Sequence, residues 1–242
     1  MSLTLAECAL HEPTANITAD HERFAVNETE AILLALAQAV EQRDRNTAGH
    51  CERMAFIGVS IGMAMGLDQP DLLALYRGGY LHDVGKVGIP DSILFKPGPL
   101  TADEWTLMQS HTTRGVEICR HLSALDPVLP IIRHHHERLD GTGYPDRLAG
   151  SQIPLTARII QIADIYDALV SPRPYKRAFT PREALETIEE ETVKGWRDPE
   201  IVEVFFRLHD SVVLRVGEYT SNSDRNLEAM RSALSDLRQL RD

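Results

Sequence analysis

His82 and Asp83 stand side by side just ahead of Gly85-Lys86, and a second block, His135-His136-Glu137, is followed by Gly143-Tyr144-Pro145. Neighbouring His and Asp side chains reach one point only where a backbone end presents both, and a metal is the usual reason. Imidazole and carboxylate suit borderline and hard divalent metals, and a carboxylate can bridge two of them. His50, His111 and Asp164 add the same donors from other parts of the chain. The candidate ligands are therefore His50, His82, Asp83, His111, His135, His136 and Asp164, with Asp83 as the bridge. Shared between two ions in this way, each would have about four protein ligands and positions left for water or a substrate oxygen.

The remaining histidines have ordinary explanations. His11, His21, His121 and His209 are read as surface or core residues, because a lone buried His is more often hydrogen-bonded than metal-bound. His82 and Asp83 buried without partners would be costly, and so would Asp164 inside the apolar run Ile162-Ala163-Asp164-Ile165. His134 is left out and read as exposed, since three consecutive helical residues cannot all face one point. Asp44 and Glu137 are carboxylates that either orient ligating imidazoles through the distal ring nitrogen or make surface salt bridges; both readings stay open.

The elements that must carry these side chains are helices. Residues 1–26 lack periodicity and read as a loosely ordered tail. Asn27 and Glu30 form a capping pair ahead of the helical stripe Ile32, Leu33, Leu36, Ala37 and Val40. A second helix is expected over 48–65, ended by Gly66, and a third over 70–82, capped by Asp68. Residues 84–100 hold three Gly and three Pro and read as a loop. Thr101 and Glu104 form a capping box for a helix carrying His111, and Asp126-Pro127 opens one whose last turns carry His134, His135 and His136. Residues 139–153 form a second structured loop. Pro154 starts a helix apolar almost all round, hence buried. Thr180-Pro181 and Asp198-Pro199 open two more.

Only residues 212–216 look strand-like, too short to define a sheet. The fold class is all-α. Near the end, Leu227, Met230, Leu234 and Leu237 recur at helical spacing, marking either a helix packed on the body or half of a homodimer seam. The expected organisation is a tail over 1–26, a catalytic domain over 27–210 and an extension with an amphipathic helix over 211–242.

Composition narrows the function. With 242 residues, 43% of them hydrophobic, the chain can bury a sizeable core. A net charge of -11 offers no field for a long polyanion, which argues against duplex nucleic acid and leaves room for a small phosphate ligand held by a few local cations. Three cysteines, Cys8, Cys51 and Cys119, without a CxxC spacing, argue for reduced thiols and a cytoplasmic setting. The first thirty residues carry Glu12, Asp20 and Glu22 and no continuous apolar stretch, so neither a signal peptide nor a membrane span is expected.

The order of these residues closely resembles the HD-GYP subgroup of the HD superfamily of metal-dependent phosphohydrolases. The resemblance rests on Asp44-x-x-Thr47-x-x-His50-x-x-Arg53, on the run from His82 to Asp91, on His135-His136-Glu137-Arg138-x-Asp140-Gly141-x-Gly143-Tyr144-Pro145, and on Ala163-Asp164-x-x-Asp167-Ala168-Leu169 with Arg173-Pro174-Tyr175. It implies a five-helix HD core with additional helices, and hydrolysis of the bacterial second messenger cyclic di-GMP to pGpG, often onward to GMP. It puts ligand roles on the same seven residues, and phosphate or substrate contacts on Lys86, Tyr144, Arg173 and Lys176. Family members that hold three metals carry Glu four residues before the first ligand His. Asn46 stands there, and an amide oxygen is a poorer, uncharged ligand, so two ions are expected. Phe95 and Pro172 also depart from the common Asn and Asp.

The chemistry expected is attack by a metal-bridging hydroxide, formed from a water whose pKa falls from 15.7 to roughly 7, with Asp83 holding both ions. Lys86, Arg173 and Lys176 would neutralise the nonbridging phosphate oxygens, and Tyr144 would donate to a phosphate or line the base pocket. A mixed nitrogen and oxygen set without thiolates favours Fe or Mn over Zn. The alternatives are another cyclic dinucleotide such as cyclic GMP-AMP, a nucleotide monophosphate, or a binding module that senses cyclic di-GMP or docks onto a diguanylate cyclase through the Gly-Tyr-Pro loop. Loss of a ligand would favour the last, and no ligand type is missing.

Overall fold

The computed structural model describes residues 33, 35–40, 43, 49–172, 177–220, 230 and 234. Asn27, Glu30, Asp44, Asn46, Arg173, Lys176, Leu227 and Leu237 lie outside the described residues. The chain divides into two units, residues 1–36 and 37–242, and the account below concerns the second.

Five of the expected helices form where their caps and stripes put them. In α1, His50–Met65, the run Met54, Ala55, Phe56, Val59 and Ile61 is fully buried, and Gly66 ends the helix with a φ of 80°. Each such fully buried large apolar side chain contributes about 1.5–3 kcal/mol. α2, Gln69–Leu81, starts where the Asp68 side chain accepts the Asp71 N–H at 3.1 Å. α1 packs against α2, against α7 (Leu155–Val170) and against α9 (Pro199–Thr220). α7 is buried through Ile159, Ile160, Ile162 and Ala163, as its all-round apolarity requires. α8, Pro181–Val193, carries the full Thr180/Glu183 capping box.

Four elements differ from the sequence reading. Residues 84–100 are not all loop: a 3₁₀ turn spans Val84–Gly88 and the short α3 spans Asp91–Leu94. The helix capped by Thr101 stops early. α4, Ala102–Gln109, gives way at Ser110 to α5, His111–Cys119. There the Ser110 amide and hydroxyl both donate to Leu107 O, at 3.1 and 2.6 Å, tightening the last turn. The stretch after Leu122 is a 3₁₀ turn, Ser123–Val128, followed by α6, Leu129–His134, so His135 is the cap of α6 and His136 lies beyond it.

Residues 212–216 are helical, not extended. They continue α9, whose Val212 is buried while Leu214 is 70% exposed, so packing of one helical face overrides the local β preference of Val-Val. The 210/211 boundary therefore falls inside a helix. Of the terminal stripe, Met230 and Leu234 are buried within the single chain. Among the described residues there is no strand, only an isolated bridge between Asp140 and Ala149, and no helix is long and apolar enough to cross a membrane.

Candidate metal centre

The C-terminal end of α2 presents the His-Asp pair. His82 caps α2 and Asp83 opens the 3₁₀ turn, so the chain direction changes between them and both side chains turn to one side. That turn lies against α5 at a distance only glycine allows: a Cβ on Gly85 would sit 1.8 Å from His111 O. His111, first residue of α5, is thereby brought to the pair. His135 and His136 arrive from the end of α6, and His50 and Asp164 from α1 and α7.

The imidazoles share one orientation. His82 Nδ1 lies 3.1 Å from Gly79 O, His111 Nδ1 2.8 Å from Met108 O, and His135 Nδ1 3.0 Å from Ile132 O. A carbonyl oxygen only accepts, so each of these Nδ1 atoms carries the proton and each Nε2 is left with a lone pair facing the centre. His50 does the same through a carboxylate, with Nδ1 2.7 Å from Asp167 Oδ2. The result is two pairs of facing Nε2 atoms, His50 with His82 and His111 with His135, each 3.4 Å apart.

Asp83 stands between the pairs. Its Oδ2 is 3.3 Å from His82 Nε2 and 2.6 Å from Lys86 Nζ; its Oδ1 is 3.3 Å from His111 Nε2 and 3.9 Å from His135 Nε2. Oδ1 is nonetheless buried without a hydrogen bond. An orphaned carboxylate oxygen facing unprotonated imidazole nitrogens is unfavourable without a cation and is suited to one. The donor atoms form two groups that meet this need, Asp83 with His111, His135 and His136, and Asp83 with His50 and His82, each within 4.8 Å. Asp164 belongs to neither group but stands beside the second, with Oδ1 4.0 Å from His50 Nε2.

Burial sets the protonation states. It pushes His135 and His136 well below the ordinary imidazole value, with neighbouring imidazoles adding to the effect, and pushes His111 down despite Asp83. Burial also opposes charge on His82, but the adjacent Asp83 carboxylate outweighs it and raises the pKa. Burial opposes charge on Asp83 as well, yet Lys86, His82 and His111 hold it well below the usual carboxylate range. Neutral imidazoles at His111, His135 and His136 and an ionised Asp83 are the protonation states that metal ligands need.

Tyr144 closes one side. Its ring stacks on His136, centroids 4.8 Å apart, and meets Trp105 edge to face at 6.1 Å. Its phenol is pushed up by burial and by Asp83 and Asp164. The loop that carries it is fixed from below: a Cβ on Gly143 would meet Glu137 Cα at 2.4 Å, and the Tyr144-Pro145 bond is cis. Beside Tyr144 a cleft of about 590 Å³ is lined by Thr106, Gln109, Ser110, Thr113 and Arg147.

Several residues behave differently from the sequence reading. Glu137 does neither of the two things expected of it: fully buried, it accepts the Asp146 N–H at 2.7 Å and the Leu148 N–H at 3.1 Å, and so staples the Gly-Tyr-Pro loop. His134 is not exposed. Its side chain is only 14% accessible and lies 3.5 Å from Asp146. His209 is an ordinary core histidine, as expected, with Nε2 2.8 Å from the Tyr166 hydroxyl. The sequence reading gave Asp167 no role, although it lies one turn after Asp164 on the same buried helix. Arg53 clamps it, Nε to Oδ1 at 2.5 Å and Nη2 to Oδ2 at 3.0 Å. Burial would raise the pKa of Asp167, but His50 and Arg53 lower it to about 2. Arg43 was missed too, and its guanidinium donates to Lys86 O, Val87 O and Ile89 O at 2.7–2.9 Å.

A family model described as HD domain matches residues 15–201. The chain belongs to the HD domain family. The segments from Asp44 to Tyr175 that carry the HD-GYP pattern lie inside that span. This HD domain is 38% identical over 80% of its length to a cyclic di-GMP phosphodiesterase response regulator, RpfG, of Xanthomonas campestris, covering 51% of that protein. It is 39% identical to a cyclic di-GMP phosphodiesterase of Thermotoga maritima over 75% of this chain and 50% of that one. It is also 39% identical to 3′3′-cGAMP-specific phosphodiesterase 2 of Vibrio cholerae, over 74% of this chain and 34% of that one. The chain thus spans about half the length, or less, of the curated relatives it matches. Among solved structures, the cyclic GMP-AMP phosphodiesterase V-cGAP3 of V. cholerae shares the fold with a TM-score of 0.58, at 22% identity, over 86% of this chain and 59% of that one.

Proposed function

We propose that this HD domain is a metal-dependent phosphodiesterase that hydrolyses cyclic di-GMP to pGpG at a binuclear centre. The single observation that carries the reading is the place of Asp83, common to both donor groups, with a buried oxygen that accepts no hydrogen bond. His50 and His82 would hold one ion, His111, His135 and His136 the other, Asp83 both, and Asp164 completes the first. Fe or Mn suits a nitrogen and oxygen set without thiolate. Such ions supply charge neutralisation at a phosphate and acidify a bound water.

The protein's own groups do the rest. Lys86, 2.6 Å from Asp83, puts a cation where a nonbridging phosphate oxygen would lie. Tyr144 keeps its proton at neutral pH, because burial and nearby carboxylates raise its pKa, and so can donate to that phosphate. Its ring and the cleft beside it offer space of the size a nucleotide needs. Arg173 and Lys176 keep the phosphate contacts that the resemblance gives them. Cys51 and Cys119 are buried, and the cytoplasmic setting read from the cysteine spacing is part of the proposal.

Cyclic GMP-AMP is the second reading, because a relative named for it is as similar as those named for cyclic di-GMP. The test is product chromatography with each dinucleotide in turn, on protein loaded anaerobically with Fe(II) or with Mn(II). Faster release of pGpG from cyclic di-GMP supports the proposal. Cleavage of cyclic GMP-AMP alone transfers it to the second reading, and cleavage of neither removes the enzyme reading.

A further inference from the structure

His50 differs from the other imidazoles of the centre in what holds its outer nitrogen. Three rings donate to helix carbonyls, which are neutral and fixed by the backbone, whereas His50 donates to Asp167, a charged side chain that could rotate. It does not rotate, because Arg53 grips both carboxylate oxygens and the Ser171 hydroxyl lies 3.4 Å from Oδ2. Asp167 is 2% exposed, so burying its charge makes sense only with this pairing.

We propose that Arg53 and Asp167 form the positioning device for one half of the centre: Arg53 fixes Asp167, Asp167 accepts a hydrogen bond from the Nδ1–H of His50, and the Nε2 lone pair of His50 is thereby committed to a metal ion. The inference rests on the binuclear reading above. It makes the two half-sites unequal. A carboxylate on the outer nitrogen raises the basicity of a ligating imidazole as well as orienting it, and only the His50 half has one among the described residues. Removing the carboxylate charge should therefore empty that half and leave the His111, His135 and His136 half occupied. Asp167 is a positioning residue here, since it acts through His50.

The test uses the full chain with four variants: Asp167→Asn, Arg53→Gln, His50→Ala and His50→Ala combined with Asp167→Asn. Mn(II) bound per chain is measured by elemental analysis after loading and desalting. The tautomer of His50 is read separately by long-range ¹H–¹⁵N NMR on chelator-treated protein. The wild type is expected to hold two equivalents and to show the Nδ1-protonated ring. Asp167→Asn is expected to hold one, with the lost site weakened about 10–100-fold, and to show mixed tautomers. Arg53→Gln should move both readouts the same way by less, and it carries the comparison if Asp167→Asn does not fold. In the His50→Ala background Asp167→Asn should remove no further metal, because its effect passes through His50. Retention of both ions at wild-type affinity in Asp167→Asn, or additional loss in the His50→Ala background, overturns the inference. A wild type holding one equivalent contradicts the binuclear reading instead, and the relay is then decided by the NMR spectrum, where an Nε2-protonated His50 would refute it.

Discussion

Lys86 Nζ lies 2.6 Å from Asp83 Oδ2, one turn away across the 3₁₀ segment that starts at the His-Asp pair. The same cation thus stabilises the carboxylate common to both donor groups, and the proposed function places a phosphate beside it. If its main task is substrate charge, Lys86→Met should leave the metal content intact and lower kcat/KM about 10–100-fold, the worth of one charge-assisted hydrogen bond of roughly 1.5–3 kcal/mol. Steady-state kinetics beside elemental analysis would show this. Metal loss in parallel with activity would instead assign Lys86 to holding Asp83.

Glu137 is the support under Tyr144. Its buried carboxylate accepts two backbone N–H groups of the following loop, so Glu137→Ala leaves both donors without their acceptor. A loss of about 3 kcal/mol is expected, seen as a fall in Tm of roughly 5–10 °C for a chain of this size. Glu137→Gln retains one acceptor and should lose about half as much.

Arg43 ties the Lys86 turn from outside. Its side chain is 29% accessible and its ion pair with Asp91 is mostly solvated, so the pair itself contributes little. The three bonds to carbonyls of Lys86, Val87 and Ile89 matter more. Arg43→Ala is expected to cost about 1–2 kcal/mol in urea unfolding and to raise KM several-fold, because Lys86 rides on the loosened turn. An unchanged KM would detach the turn from substrate binding.

Acid should destabilise the metal-free protein early. His111, His135 and His136 have pKa values lowered by burial from the ordinary 6.5. The unfolded chain therefore binds protons that the folded one refuses, and the stability these groups lend is complete above about pH 6.5 and is lost as pH falls toward their folded values. His82 acts in the opposite sense, since its pKa is raised and its contribution fades as pH rises through the folded value. The His82 window lies above about pH 6.5, so below it the other three act unopposed and chelator-treated protein should lose stability steeply between about pH 6.5 and 5. Denaturant midpoints across that range check this, and a flat profile would contradict it.

Most of the centre was legible in the sequence because ligand chemistry is local in type. His82-Asp83 at a helix end and Asp164 in an apolar helix are anomalies that a buried cation explains. The choice of Asp83, which the structure places in both donor groups, followed from its type and place. The supports were harder to read. Asp167 reaches His50 across 117 residues, and although its place on a helix read as buried marked it as needing a partner, nothing in the spacing named that partner. Glu137 resembled an imidazole partner because it follows the His pair, but the chain folds back between Asp140 and Ala149 and brings the amides of Asp146 and Leu148 onto it. The break at Ser110 escaped because the Thr101 box signals a start and gives no length. Residues 212–216 misled because a short β-branched run is outweighed by the face α9 packs on α1.

The central claim is that this HD domain hydrolyses a cyclic dinucleotide through metals that Asp83 holds in common. The most direct test is a Mn(II) titration of cyclic di-GMP hydrolysis in wild type and in Asp83→Ala, with pGpG and bound metal measured in the same samples. Formation of pGpG is expected to rise with metal occupancy in the wild type, with neither binding nor product in a folded Asp83→Ala. Full activity in Asp83→Ala, or wild-type turnover independent of metal, would contradict the claim.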